Sequence, residues 1–215
     1  ALPRFLLVNG IIAPFRAPRS AAAYRTIWGP QGSPLLTNGR ALEAALQQRL
    51  GDRPVALGMR YGQPSLASAL ERLLERGVER VLAVPLYPQY ASSSTGSSVE
   101  RLYRLASERW NTPWIEVLPP FFDAPEFLDA AAELARPVLA RLEPDHVLLS
   151  YHGLPERHIR KSDPSGSHCL ASAGCCDQPC AANRWCYRAQ CFATSRGLAA
   201  RLGLPEGAIA DVSTD

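Results

Sequence analysis

Every cysteine of this chain lies in one stretch, CLASAGCCDQPCAANRWCYRAQC, from Cys169 to Cys191. Thiolates at that density hold an iron–sulfur cluster, bind zinc or close disulfides. Four of them suffice for a [2Fe–2S] cluster. Zinc knuckles favour CxxC pairs. The spacings here are Cys169-x6-Cys176, Cys176-x9-Cys186 and Cys186-x4-Cys191, with Cys175 and Cys180 extra and no CxxC. His168, beside Cys169, is either an accidental neighbour or a substitute ligand. Disulfides belong to oxidising compartments. The opening ALPRFLLVNGII has neither a basic n-region nor a small-residue cleavage site. Reduced thiols in a cytoplasmic setting are therefore expected.

The second chemical candidate is His152, in SYHGLP. A histidine at a strand end is as often structural as functional, but Gly153 and Pro155 form a rigid turn that aims the ring outward. Arg60 and Tyr61 follow another apolar run, in MRYG. Tyr87 and Tyr90 lie in LYPQYASSSTGSS, where tyrosine rings are more often packing residues. That loop resembles a phosphate loop only loosely, since it has no Lys and no GxxxxGK spacing. The spacing of His152 and His158 matches no standard metal motif.

These residues need elements to position them. Four apolar runs read as strands: 55–60, 80–86, 114–119 and 146–151. None alternates strictly, which suits parallel strands covered on both faces. Helical patterns separate them. In 34–50, Leu42, Ala45, Leu46 and Leu50 share a face, with Ser33-Pro34 opening the helix and Gly51 closing it. In 65–76, Leu66, Leu70, Leu73 and Leu74 do the same. Further helices are expected over 96–109, 125–142 and 187–202, with Pro137 kinking or splitting the second of these. Alternating strands and helices argue for an α/β fold with right-handed crossovers. PPFFDAP reads as the hinge between two α/β halves, 1–118 and 119–215, the second carrying a Cys-rich insertion at 166–191. In an open parallel sheet the ligand crevice lies at the carboxyl ends of the strands. There Arg60, the tyrosines, Phe121, Phe122 and His152 would form an apolar, aromatic mouth suited to a flat hydrophobic ligand.

Bulk properties narrow the classes. Hydrophobic residues make up 47% and charged residues 20%, a folded composition rather than a disordered one. No apolar run is long enough to span a bilayer. A net charge of +3 with scattered Arg gives no basic stripe for nucleic acid. Met59 is the only methionine, so Ala1 is not a translation start, and the chain is expected to be processed, trimmed or a fragment.

Four ordered motifs, MRYGQPS, PLYPQYASSSTGSS, SYHGLPERH with DPSG, and CYRAQCFATSRGLA, resemble ferrochelatase, which inserts ferrous iron into protoporphyrin IX. The resemblance implies a chelatase-like fold of two Rossmann-like parallel-sheet halves flanked by helices, truncated here at both termini. It implies that a first strand and a carboxyl-terminal portion with a catalytic Glu lie outside this stretch. It assigns His152 as proton acceptor, Fe2+ ligand or both, and Arg60, Tyr61, Ser33 and Tyr90 to substrate binding. Some bacterial members carry an internal Cys-rich insertion with a [2Fe–2S] cluster. On that resemblance the ligands are Cys169, Cys176, Cys186 and Cys191, with Cys175 as a substitute for Cys176 and Cys180 as the spare. Protoporphyrin IX and Fe2+ are the implied partners. A membrane surface or another enzyme of haem synthesis is a further partner to consider, and the oligomeric state is open. The alternatives are a non-catalytic cluster- or porphyrin-binding fragment, and a cobalt or nickel chelatase acting on another tetrapyrrole.

Overall fold

The structure, a computed structural model, describes residues 10, 13–205 and 209–211. The opening segment 1–9 and the end of IADVSTD lie outside the described residues. The chain divides into two compact units between Val78 and Glu79.

The first unit holds helices α1 (Ala13–Arg25), α2 (Pro34–Leu50) and α3 (Leu66–Glu75). Pro34 opens α2 behind an extended Ser33, and Gly51 ends it at φ +60°. Ser65 caps α3, its hydroxyl accepting the Ser68 N–H at 3.1 Å. The run 55–60 is not a strand, contrary to the sequence expectation. Two of its donors go to helix side chains: Val55 N–H to Gln47 Oε1 at 2.9 Å and Leu57 N–H to Glu43 Oε1 at 2.7 Å. Only an isolated parallel bridge, Met59 to Ser65, forms there. Gly39 of α2 lets this segment approach, because a Cβ there would lie 3.1 Å from Leu57 Cδ2.

The second unit contains both sheets. Strand β1 (Arg80–Ala83) leads through a π-helical turn (Ser92–Gly96) and α4 (Ser97–Ser107) to β2 (Trp114–Val117). Then come α5 (Pro125–Leu142), β3 (Val147–Leu149), α6 (Glu156–Lys161), α7 (Tyr187–Leu202) and β4 (Ile209–Asp211). β1 pairs with β2 in parallel, from Arg80 opposite Trp114 to Ala83 opposite Val117. β3 pairs with β4, also in parallel, from Val147 opposite Ile209 to Leu149 opposite Asp211. The result is a mixed α/β architecture with small parallel sheets. The strands are not covered on both faces among the described residues: exposure alternates along β1, where Leu82 is 59% exposed, and Leu148 of β3 is 62% exposed.

Pro137 does not split α5, which runs unbroken through it. Proline removes one ladder donor. Pro137 and Glu133, the residue one turn before it, are both exposed, so the orphaned carbonyl faces water. α5 packs on α7 where Gly197 meets Leu128: a Cβ at 197 would lie 2.6 Å from Leu128 Cδ1. Gly203 closes α7 at φ +65°.

A core of the second unit is unusually rich in sulfur. Cys169, Cys175, Cys176 and Cys186 are buried with Ala91, Leu154, Ile159 and Ala189, and Leu170, Tyr187 and Phe192 pack on the group. Among the described residues no helix is long and apolar enough to cross a membrane.

Candidate functional site

In the first unit, Ser33 is half-buried at the start of α2 and its carbonyl accepts the Thr37 N–H at 3.0 Å. Arg60 is half-buried and Tyr61 is exposed. The Arg60 guanidinium stacks on the Tyr61 ring, 4.6 Å from its centroid. A cation on an aromatic face stiffens both side chains, so this pair presents a charge and a flat apolar surface together.

In the second unit, His152 follows β3 and is exposed, as the Gly-Pro turn implies. Its backbone and the Cys191 side chain both lie close to the Tyr187 hydroxyl. Burial pushes the Tyr187 phenol above its ordinary value, so it stays protonated. The neighbouring Tyr151 hydroxyl pairs with Ser195 Oγ at 3.0 Å. The residue before His152 is thus tied to α7 through its side chain.

Tyr90 is half-buried in the loop after β1. Its N–H donates to Gln190 Oε1 at 2.6 Å. Its ring meets Trp185 edge-on, centroids 5.3 Å apart. Next to it, Gln89 Nε2 donates to Thr194 Oγ1 at 2.9 Å, and Thr194 donates to the Phe122 carbonyl at 2.7 Å. The Tyr90 loop therefore hangs on the same helix as the His152 turn.

The cysteine loop is built around three polar residues. The buried Asp163 carboxylate accepts the N–H groups of His168 at 2.7 Å and Cys169 at 2.9 Å through Oδ2. Through Oδ1 it accepts Ser165 Oγ at 2.6 Å and Ser165 N–H at 2.8 Å. The Ser165 hydroxyl, then the Cys169 amide, hold its carboxyl far below the usual carboxylate range. Asn183, also buried, donates to the carbonyls of Cys175 at 3.0 Å and Gln178 at 2.9 Å and accepts the Cys180 N–H at 2.8 Å. Arg188 donates from Nη1 to Cys176 Sγ at 3.3 Å, with its guanidinium over the Phe192 ring at 4.7 Å.

Five of the six thiols are buried and none is in a disulfide. Cys186 sits at the N-cap of α7 and is the centre of the group. Hydrogen bonding from the Cys176 thiol, then the Ala189 N–H, the Cys169 thiol and the Arg188 N–H, hold it down to about 6 against its burial. A helix N-terminus lowers a thiol in this way. Burial first, then the charge on Cys186, pushes Cys169 up to about 12. The hydrogen bond to Cys186 and burial raise Cys176 further still. Cys175 Sγ lies 3.7 Å from Cys176 Sγ and accepts the Leu170 N–H at 3.4 Å.

Cys169, Cys175, Cys176 and Cys186 therefore form one buried sulfur group. Cys191 is buried on the next turn of α7 beside Tyr187, and Cys180 is exposed, 3.6 Å from His168 Nε2. Among the described residues no three His, Cys, Asp or Glu side chains converge as a single-ion site. What is present is sulfur in contact pairs under N–H and guanidinium donors. Thiols are the ligand type of iron–sulfur clusters and of zinc alike.

The sequence reading assigned no role to Asp163, Asn183, Arg188 and Gln190. A signal existed for one: Asp163-Pro-Ser-Gly is turn chemistry in which an Asp side chain caps the backbone two residues on. Gln190 and Arg188 carry none, because their partners are set by packing.

The profile of the family described as Ferrochelatase matches residues 2–212. The chain is 50% identical over 205 residues to a ferrochelatase of Azotobacter vinelandii (strain DJ / ATCC BAA-1303), covering 95% of this chain and 60% of that protein. It is 44% identical over 205 residues to one from Pseudomonas fluorescens (strain SBW25), with 95% and 60% covered. It is 46% identical over 202 residues to one from Stutzerimonas stutzeri (strain A1501), with 94% and 59% covered. The chain thus spans about 60% of the length of the curated relatives it matches. A match over nearly every residue, together with the exposed His152 and the ordered motifs around it, places this chain in the ferrochelatase family.

Proposed function

We propose that the protein inserts ferrous iron into protoporphyrin IX, with His152 as the residue that handles protons or iron. The observation that carries this reading is the exposed imidazole at the end of a parallel strand, in a chain of this family. Metallation requires two pyrrole N–H groups to be deprotonated as the metal enters. An imidazole suits proton acceptance or iron delivery near neutral pH. The Tyr151 hydroxyl, paired with Ser195 Oγ of α7 at 3.0 Å, supports the role by anchoring the segment from which the ring projects. Arg60, Tyr61, Ser33 and Tyr90 are the substrate-binding residues in this proposal. Arg60 and Tyr61 supply a cation for a propionate and a flat face for the macrocycle. On the same reading the chain has two Rossmann-like halves, 1–118 and 119–215.

The cysteine loop is proposed to hold a [2Fe–2S] cluster. The family resemblance implies Cys169, Cys176, Cys186 and Cys191 as its ligands. The burial of Cys175 in one cluster with Cys169, Cys176 and Cys186, with its Sγ 3.7 Å from that of Cys176, favours Cys175 in place of Cys191. When bound, the cluster supplies a covalent brace and a one-electron redox centre. Asp163, Asn183 and Arg188 hold the loop open to it by satisfying its backbone and donating to its sulfurs.

The test is anaerobic incubation of the protein with ferrous iron and protoporphyrin IX, following haem absorbance, for the wild type and His152→Ala. Loss of general acid–base help costs about 10²-fold or more, so haem formation should fall at least that far. An unchanged rate removes His152 from the chemistry. Porphyrin binding without any haem marks a binding protein, and a preference for cobalt or nickel marks a different chelatase.

A further inference from the structure

Helix α7 joins three things that the sequence keeps apart. Its N-cap is Cys186, the centre of the sulfur group. Its first turn carries Tyr187, whose hydroxyl lies close to the His152 backbone. Its second carries Gln190, only 3% exposed, whose Oε1 accepts the Tyr90 N–H at 2.6 Å. The other end of the same amide is committed as well. Gln190 Nε2 donates at 2.8 Å to the carbonyl of Arg184, two residues before Cys186. Trp185, between them, packs its ring on Tyr90. Ala91 and Leu154, flanking the Tyr90 loop and the His152 turn, belong to the same buried core as the four cysteines.

We infer that Gln190 is a positioning residue that couples the cysteine loop to the porphyrin-facing loop at Tyr90, so that the metal occupancy of the former sets the porphyrin affinity of the latter. The reasoning is geometric. One buried amide has a fixed separation between its oxygen and nitrogen, so the Tyr90 N–H and the Arg184 carbonyl are held in one register. With its thiolates bridged, the loop holds the Arg184 carbonyl still, and Tyr90 is preorganised. With them free, these hydrogen bonds alone hold that register, and the Tyr90 loop must be ordered further at binding. Ordering at binding weakens affinity. Two sites biasing one element is a coupling, typically of about 5-fold or more. The inference rests on the cluster and porphyrin sites proposed above.

The test measures protoporphyrin IX affinity by quenching of tryptophan fluorescence, without added iron substrate. The protein is compared after reconstitution with iron and sulfide and after stripping with a chelator. The quantity read is the ratio of the two Kd values, which a uniform change in stability does not move. In the wild type, stripping should raise Kd about 5-fold or more. Gln190→Met, near-isosteric but without either hydrogen bond, should bring the ratio to about 1 while amide exchange shows α7 still protected. Gln190→Leu, similar in volume, provides the same comparison should the Met variant fail to fold. A wild-type ratio of about 1, or an equal ratio in wild type and variant, overturns the coupling and leaves the proposed function standing. A protein that takes up no iron and sulfide, or binds no porphyrin, overturns the corresponding proposed site and the coupling with it.

Discussion

Arg188 points its guanidinium at Cys176, with Nη1 3.3 Å from Sγ, and its other face rests on Phe192. The hydrogen bond to Cys186 and burial keep this thiol protonated, and the guanidinium is a charged donor to its sulfur. Charge-assisted hydrogen bonds are worth about 1.5–3 kcal/mol, and Arg188 is half-buried, so the lower end applies. Arg188→Leu should destabilise the metal-free protein by about 1–2 kcal/mol in urea unfolding and reduce iron and sulfide uptake. Arg188→Lys keeps the charge but not the planar stack and should fall between. If both variants match the wild type, the contact is incidental.

Asp163 caps three amides and a hydroxyl at the entrance to the cysteine loop. Its carboxyl lies far below its ordinary value, so its contribution is complete above the ordinary carboxylate range and is lost only as pH falls through the depressed value. Loop order should therefore persist in mild acid. In Asp163→Ala the amides of His168 and Cys169 should exchange with solvent much faster, while Asp163→Asn, which keeps an acceptor, should retain part of the protection. Equal exchange rates in all three proteins would refute the capping role.

Cys186 is depressed to about 6 in the folded protein from an ordinary value of 9.0, whereas Cys169 rises to about 12. Between pH 6 and 9 the unfolded chain holds the Cys186 proton and the folded one does not, so metal-free stability should climb. Above 9 the unfolded chain releases the protons of Cys169 and Cys176 while the folded one retains them, so stability should decline. Thiolate absorbance in the ultraviolet should show one group titrating near 6, missing in Cys186→Ser. Titration only near 9 would contradict the hydrogen-bonded arrangement around Cys186.

Gly197 faces the buried Leu128, leaving no room for a methyl. Overpacking costs about 1–3 kcal/mol, and Ala gains about 1 kcal/mol over Gly in a helix. Gly197→Ala should therefore be destabilising by about 1 kcal/mol on balance. In a Leu128→Ala background the clash is gone and the same change should stabilise by about 1 kcal/mol. Thermal unfolding of the four proteins of this cycle measures the reversal, and an unchanged sign would disprove the close approach.

How far the sequence alone could be read is clear from particular elements. α2 runs over Pro34–Leu50, as its apolar period, its proline and its closing glycine imply. α5 and α7 also have their expected bounds. Helices are local: each is closed by bonds to its own chain four residues back, so caps and periodicity suffice. The parallel pairing of 80–83 with 114–117 and the outward His152 followed from short apolar runs and a rigid turn.

The apolar run 55–60 had the composition of a strand, yet two of its donors found Gln47 and Glu43 instead of a neighbouring backbone. Strand identity depends on a partner that the segment does not contain. The same holds for the sulfur. Residue type and crowding announced a cysteine site, but only packing placed Cys176 under Arg188 and buried Cys169 with Cys186 in one core. The bond from Tyr90 to Gln190 joins positions 100 residues apart. The sequence determined what chemistry was available and which local elements would carry it. The tertiary structure alone decided which groups share a proton, a core or a hydrogen bond, because those distances are fixed by contacts between distant segments and by no periodicity within either.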